Sequence, residues 1–221
     1  DGGCAVAVVL QSFPFLEELR LASNWGFSTP GAERLAAELA AAGSADPDTA
    51  GAGCSLRSLD LCECWLAGAG GGAAIAAVLR AAPQLETLNI SSNWELGAVG
   101  IRAVAAGLPE GCELRVVRLA KCGLAGVEGG RAAAELARRC LCIEKFDMAN
   151  NWGLSASGVA ALVAAWPMAP LLAAADLQNC ELEGDRGGAA AAALAGLCLA
   201  QRQASGGGGG TAGGGGGAAR G

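Results

Sequence analysis

Histidine and tyrosine are absent from this chain, and lysine occurs only as Lys121 and Lys145. Without histidine the commonest general base and the commonest transition-metal ligand are gone. Without tyrosine one of the residues most favoured at binding surfaces is gone. Basic charge is also scarce: the net charge is −6. A general phosphate-backbone binder needs a basic face, so nucleic acid is not an expected partner. Aromatics make up 4% of the residues against 52% hydrophobic, so the core must be built from small and branched side chains. The longest uncharged run, Met148 to Ala175, is long enough to span a bilayer. It contains Asn150, Asn151, Gly153, Gly158, Pro167 and Pro170 and covers one copy of the repeat described next. No membrane insertion is expected. The chain opens on Asp1 in mid-pattern, which reads as a piece of something longer.

What the chain has is a repeat. Leu85 to Gly100, LETLNISSNWELGAVG, follows the template L-x-x-L-x-I-x-x-N, then an apolar residue at Leu96 and a glycine at Gly100. The position of Asn93 recurs as Asn24, Cys64, Asn93, Cys122, Asn151 and Cys180. From Cys64 onward the step is constant, a period of about 29 residues, which is the mark of a solenoid. The first step, Asn24 to Cys64, is one period plus an insertion near Ser44 to Cys54. The residue alternates Asn, Cys throughout, so the true unit is a pair. After Asn the next apolar residue comes three later (Phe27, Leu96, Leu154); after Cys it comes two later (Leu66, Leu124, Leu182). A glycine follows seven after each, and the Cys halves carry a second one (Gly72, Gly130, Gly188).

Each unit has two parts. The L-x-x-L-x-L part, as in Leu56, Leu59, Leu61, alternates with period two at its end and predicts a short strand. The part after the glycine carries apolar residues three and four apart, as in Ile101, Val104, Leu108 and Val159, Leu162, Trp166, and predicts a helix. Parallel strands stack about 4.8 Å apart, while helices need roughly 10 Å. The mismatch bends the stack into an arc with the strands inside.

The motif L-x-x-L-x-L-x-x-N/C, with units of about 29 residues and alternating Asn and Cys forms, resembles the leucine-rich repeat of the ribonuclease-inhibitor subfamily. The resemblance covers about residues 1–200. It implies an α/β fold: a curved solenoid, a right-handed β-α superhelix in a horseshoe arc, with parallel strands on the concave face and helices on the convex face. It further implies a protein partner bound on the concave side, and a cytoplasmic location with the nucleus as the alternative. The domain so expected spans 1–200: a partial repeat over 1–15, then six repeats starting near 16, 56, 85, 114, 143 and 172. Residues 201–221, nearly all glycine after Ser205, are expected to be a disordered tail. Further repeats in the same longer chain are expected.

The candidate site residues fall in three sets. The ladder Asn24, Cys64, Asn93, Cys122, Asn151 and Cys180 reads as structural: Asn can satisfy both donors and acceptors of the turning backbone, and a thiol does so more weakly. The inward strand positions are the expected partner surface: Glu18, Arg20, Ser58, Asp60, Thr87, Asn89, Ser91, Arg118, Lys145, Asp147, Asp176 and Gln178. The bland account of that surface is lateral ion pairing, Arg20 beside Asp60 and Arg118 beside Asp147, serving solubility. Trp25, Trp65, Trp94 and Trp152 each follow the ladder residue. They either pack over the next loop and shield the ladder or form an aromatic edge that grips a partner.

No catalytic residues, metal ligands or cofactors are expected. Asp147 and Asp176 are neighbouring carboxylates on an open face with no partner base. Gly68 to Gly72 lacks the Gly-Lys-Ser/Thr of a phosphate loop. The ten cysteines offer only C-x-C spacings, Cys62-Glu63-Cys64 and Cys140-Leu141-Cys142, with no histidine to complete a zinc set. Ladder cysteines two strands apart are too distant for a disulfide, so the thiols are expected free, in a reducing compartment. The function expected is a non-enzymatic interaction module of scaffold or receptor type. The alternative is a GTPase-activating regulator resembling the Ran GTPase activators.

Overall fold

The structure is a computed structural model and describes residue 13 and residues 15–43, 55–166 and 171–206. Nearly all of the expected partial repeat, the insertion Ser44 to Cys54 and the chain from 207 onward lie outside these residues.

Among the described residues six three-residue strands alternate with six helices. They are β1 (Glu18–Arg20), α1 (Ser28–Gly43), β2 (Ser58–Asp60), α2 (Gly68–Ala81), β3 (Thr87–Asn89), α3 (Gly97–Gly107), β4 (Val116–Arg118), α4 (Gly126–Arg139), β5 (Lys145–Asp147), α5 (Ser155–Ala165), β6 (Ala174–Asp176) and α6 (Gly184–Gly206). The helix α6 runs on to Gly206, past position 200 where the expected domain ends. The strands form one open parallel sheet in sequence order. Equivalent consensus positions face each other, as Leu59↔Leu88 and Leu88↔Val117. Each helix packs against its sequence neighbours. This is the curved α/β repeat solenoid the pattern predicts.

The strands are short because only the middle residue of each of the first five faces the core: Leu19, Leu59, Leu88, Val117 and Phe146 are buried and their neighbours are not. The flanking leucines of the motif, such as Leu56, Leu61, Leu85 and Leu114, complete that layer. From the other side come Ile101, Val104, Val159 and Leu162 of the predicted helical stripes, together with Ile75 and Leu136, all buried. Each fully buried leucine contributes about 1.5–3 kcal/mol. Trp166 ends one stripe and meets Phe146 edge-on, with ring centroids 5.4 Å apart.

Helix starts are tied down by the next repeat rather than by side-chain caps. The N–H of Ser28 donates to the Cys64 carbonyl and that of Gly97 to the Cys122 carbonyl, both at 2.9 Å. The N–H of Ser155 donates to the Cys180 carbonyl at 3.0 Å. The doubled glycine of the Cys halves also has a physical cause. A Cβ on Gly130 would overlap the Gly158 carbonyl, and one on Gly72 would overlap the Gly100 carbonyl. The second glycine is what lets adjacent helices approach at their starts.

The run Met148 to Ala175 divides into a turn, a 3₁₀ turn (Trp152–Leu154), α5 and the start of β6. Among the described residues no helix is long and apolar enough to cross a membrane.

Candidate functional site

At the end of each strand the chain turns through one left-handed residue: Ser23, Glu63, Ser92, Lys121, Asn150 or Asn179. The ladder residue follows. The Asn93 side-chain amide donates to the carbonyls of Leu61 (2.9 Å) and Ile90 (2.8 Å), and its oxygen accepts from the N–H groups of Cys64 (3.1 Å) and Leu66 (3.0 Å). Asn151 repeats the set with Leu119, Met148, Cys122 and Leu124. The thiols close the circuit. Cys64 donates to the Leu21 carbonyl, Cys122 to that of Ile90 and Cys180 to that of Met148, at 3.1–3.3 Å. Each Asn thus serves its own turn and that of the preceding Cys half. Burial pushes the Cys64 thiol up to about 11 and raises Cys122 and Cys180 as well, which keeps these donors protonated. Asn24 lies in the turn after β1, is exposed, and among the described residues donates only to Leu21 and Ala22.

The Cys halves have a second left-handed residue directly after the ladder: Trp65 (φ +55°), Gly123 (φ +69°) and Glu181 (φ +53°). This kink aims two N–H groups at one point, a small nest, which the Asn oxygen of the following half fills. It also explains why the next apolar residue comes one position earlier there than in the Asn halves.

The concave face takes its columns from the strand register. Glu18, Ser58, Thr87, Val116, Lys145 and Ala174 form one row; Arg20, Asp60, Asn89, Arg118, Asp147 and Asp176 form the next. The expected lateral ion pairs are not made. Arg20 turns to Glu18 within its own strand at 2.8 Å. Asp60 instead accepts from the Cys62 N–H (2.9 Å) and from the Asn89 amide (3.0 Å). Asn89, Asp147 and Asp176 likewise accept from the N–H two residues on, at 2.9–3.1 Å. That N–H lies past the strand end, and a short acceptor side chain two residues earlier reaches it better than it reaches a neighbouring arginine. One oxygen of each central carboxylate or amide is therefore committed to the fold. Ser91 is buried at 9% exposure and presents little surface. Ser58 and Thr87 are half-buried, whereas Arg20, Arg118, Lys145 and Gln178 are exposed. Arg118, Lys145, Asp147, Asp176 and Gln178 line a shallow hollow of 530 Å³.

Ion pairs do run across repeats, one position before the strands. Arg57 meets Glu86 at 2.5 Å and Arg115 meets Glu144 at 2.6 Å. The column Glu17, Arg57, Glu86, Arg115, Glu144 alternates in sign. Its signal was in the sequence, as opposite charges one period apart after the first leucine of the unit. These pairs are half-exposed and contribute little.

The tryptophan row resolves against shielding. Trp25, Trp65, Trp94 and Trp152 are 60%, 63%, 66% and 55% exposed. The ladder needs no cover from them, because its own hydrogen bonds and the next apolar residue (Phe27, Leu66, Leu96 or Leu154, all buried) fill the space beneath. The row is interrupted at Gly123, where a Cβ would overlap the Trp94 carbonyl. Over that gap lies a cleft of 270 Å³ walled by Trp94 and Trp152, with Lys121 and Asn150 at its rim. Among the described residues no group of three or more Cys, Asp or Glu is placed to hold a metal ion.

Comparison with known proteins gives a match of residues 82–105 to the family model described as leucine-rich repeat. No curated protein matches the chain significantly. Among solved structures it is similar to one described as the crystal structure of the Rad7 and Elc1 complex in yeast, with 14% identity and a TM-score of 0.39. That alignment covers 79% of this chain and 54% of the other, so this chain spans about half the length of the solved one. The matched residues run into the third of six described units that repeat the same strand, ladder turn and helix in register.

Proposed function

We propose that this chain is a non-enzymatic protein-interaction module of the ribonuclease-inhibitor-like type, which holds a protein partner between its concave face and its tryptophan edge. The alternation of Asn and Cys halves, with their reciprocal hydrogen bonds, supports the subfamily. One observation carries the binding reading: four indoles stand more than half exposed along one edge. A row of exposed apolar rings is a cost to a solenoid that only needs to stay soluble, and tryptophan is the residue most enriched at binding hot spots. Trp65 adds to this. It holds a left-handed conformation that glycine adopts freely, and glycine stands at the same position of the next Cys half. Arg20, Arg118, Lys145 and Gln178 supply the polar contacts expected around such anchors.

The reading is tested by affinity capture from the native cell with the wild type, with Trp65→Gly/Trp94→Ala, and with Arg118→Ala/Lys145→Ala. A partner held by the wild type is expected to bind the tryptophan variant at least about 10-fold more weakly. An identical captured set across all three proteins would overturn it. No feature of the described residues favours the GTPase-activator alternative, which requires faster GTP hydrolysis by a small GTPase on addition of this protein.

A cytoplasmic setting, with the nucleus as alternative, belongs to the same proposal. Its support is the ladder: Cys64, Cys122 and Cys180 act as S–H donors, a role that needs the reduced thiol. Thiol titration in denaturant should find most of the ten cysteines free; several native disulfides would place the protein in an oxidising compartment.

A further inference from the structure

We propose that Cys112 and Cys140 form an oxidation site, a dithiol that hydrogen peroxide or another small hydroperoxide converts to a disulfide joining two adjacent repeats. The two residues lie on neighbouring helix-to-strand returns. Cys112 stands between α3 and β4, and Cys140 directly follows α4. They are just under one period apart in the chain, on returns that lead into the paired parallel strands β4 and β5. Neighbouring turns about 5 Å apart fall in the range of Cα separations that a disulfide spans. The side chains already point at each other: the sulfurs are 3.6 Å apart and buried. No other two described thiols are hydrogen-bonded to each other. The ladder thiols spend their protons on backbone carbonyls, and this pair does not belong to the ladder.

The pair is asymmetric in the way such chemistry needs. Cys112 is 7% exposed and Cys140 1%, so Cys112 is the one an oxidant meets. The hydrogen bond shared with Cys140 lowers the Cys112 thiol, against burial and the neighbouring Glu113, which raise it. The same bond, with burial, raises Cys140. Cys112 is therefore the thiolate and Cys140 the resolving thiol.

The chemistry balances with the peroxide as oxidant. The Cys112 thiolate attacks one peroxide oxygen and the O–O bond breaks. The sulfur becomes a sulfenic acid, and the departing hydroxide takes up the proton that Cys112 had released and leaves as water. The Cys140 sulfur then attacks the sulfenic sulfur. The S–S bond forms, the S–O bond breaks, and the second hydroxide leaves as water with the Cys140 proton. Two thiols and one peroxide give one disulfide and two waters.

The native full chain is treated with hydrogen peroxide, blocked with an alkylating reagent and digested with trypsin. The expected product is peptide 103–115 linked to peptide 140–145, with the loss of two hydrogens. Closing this loop is also expected to raise the thermal midpoint by roughly 5–10 °C, reversibly with a thiol reductant. Cys142→Ser, which removes the other thiol of peptide 140–145, should keep both the link and the shift. Cys140→Ser should lose both and leave a sulfenic acid on Cys112 that dimedone traps. Peptide 103–115 of the peroxide-treated wild type recovered fully alkylated would overturn the proposal, whatever the variants do. So would a link that Cys142→Ser abolishes.

Discussion

At the scale of single residues the ladder dominates. Asn93 makes five hydrogen bonds to backbone groups of two repeats, whereas Asn24, of the same type in the same motif position, makes bonds among the described residues only to its own turn. A buried group left unsatisfied costs about 1–3 kcal/mol. Asn93→Ala is therefore expected to lower unfolding stability by about 3–5 kcal/mol, and Asn24→Ala by no more than about 1 kcal/mol, both read from urea denaturation. Equal effects would mean that the ladder bonds do not carry the turn. The thiols make a pH prediction. The folded Cys64 thiol, at about 11, lies above its ordinary value of 9.0. A raised acid contributes stability that is intact below pH 9 and is lost as pH climbs through 11. Stability should fall over that window, and Cys64→Ser, which keeps a donor that does not titrate there, should make the fall shallower. The ladder was legible because it depends on one residue type at one spacing. The concave pairing was not. Arg20 and Asp60 do stand side by side, but each has a closer partner, and competition among partners is decided by distances a sequence does not contain.

At the scale of elements the repeat works by contact between neighbours. The strand is three residues long because the leucines before and after it already anchor the turn, and the helix begins where the next repeat supplies a carbonyl. The doubled glycine tests this account. A Cβ on Gly130 meets the Gly158 carbonyl, while one on Gly188 meets nothing within 4 Å. Gly130→Ala should force α4 and α5 apart and cost about 1–3 kcal/mol. Gly188→Ala, at the same motif position, should be neutral or stabilising by roughly 0.5–1 kcal/mol, because alanine is the better helix former. Thermal denaturation of the two variants distinguishes them; a shared loss would show that the glycine serves its own helix rather than the contact. The strands and helices themselves were plain in the alternation of periods two and 3.6. The reason for the second glycine was not, since it lies in a carbonyl of the next repeat.

At the scale of the whole molecule each element touches only its neighbours in the stack, so stability is set locally along the array. Leu56 to Leu124 contains the most completely buried residues, while β1 keeps Leu19 at 9% exposure and Ala174 and Ala175 of β6 are exposed. Hydrogen exchange should be slowest at the amides of β3 and β4 and faster at β1 and β6; uniform protection would mean that the array opens as one unit. The tryptophan edge belongs to this scale, because it exists only when five turns stack, four of them carrying the ring. Trp65→Gly relieves a left-handed tryptophan at no more than about 0.5 kcal/mol of net stability, yet should weaken partner binding. A variant that unfolds more easily and binds unchanged would make Trp65 structural.

The sequence alone determined the repeat, its register, the ladder and the parallel strand–helix alternation, because each of these is a short-range rule applied once per repeat. Only the tertiary structure decided which side chains remain for a partner. Exposure of the indoles, commitment of the central carboxylates to their own turns, and contact between Cys112 and Cys140 all depend on how one repeat lies against the next. A one-dimensional pattern fixes the spacing of those neighbours but not their distances.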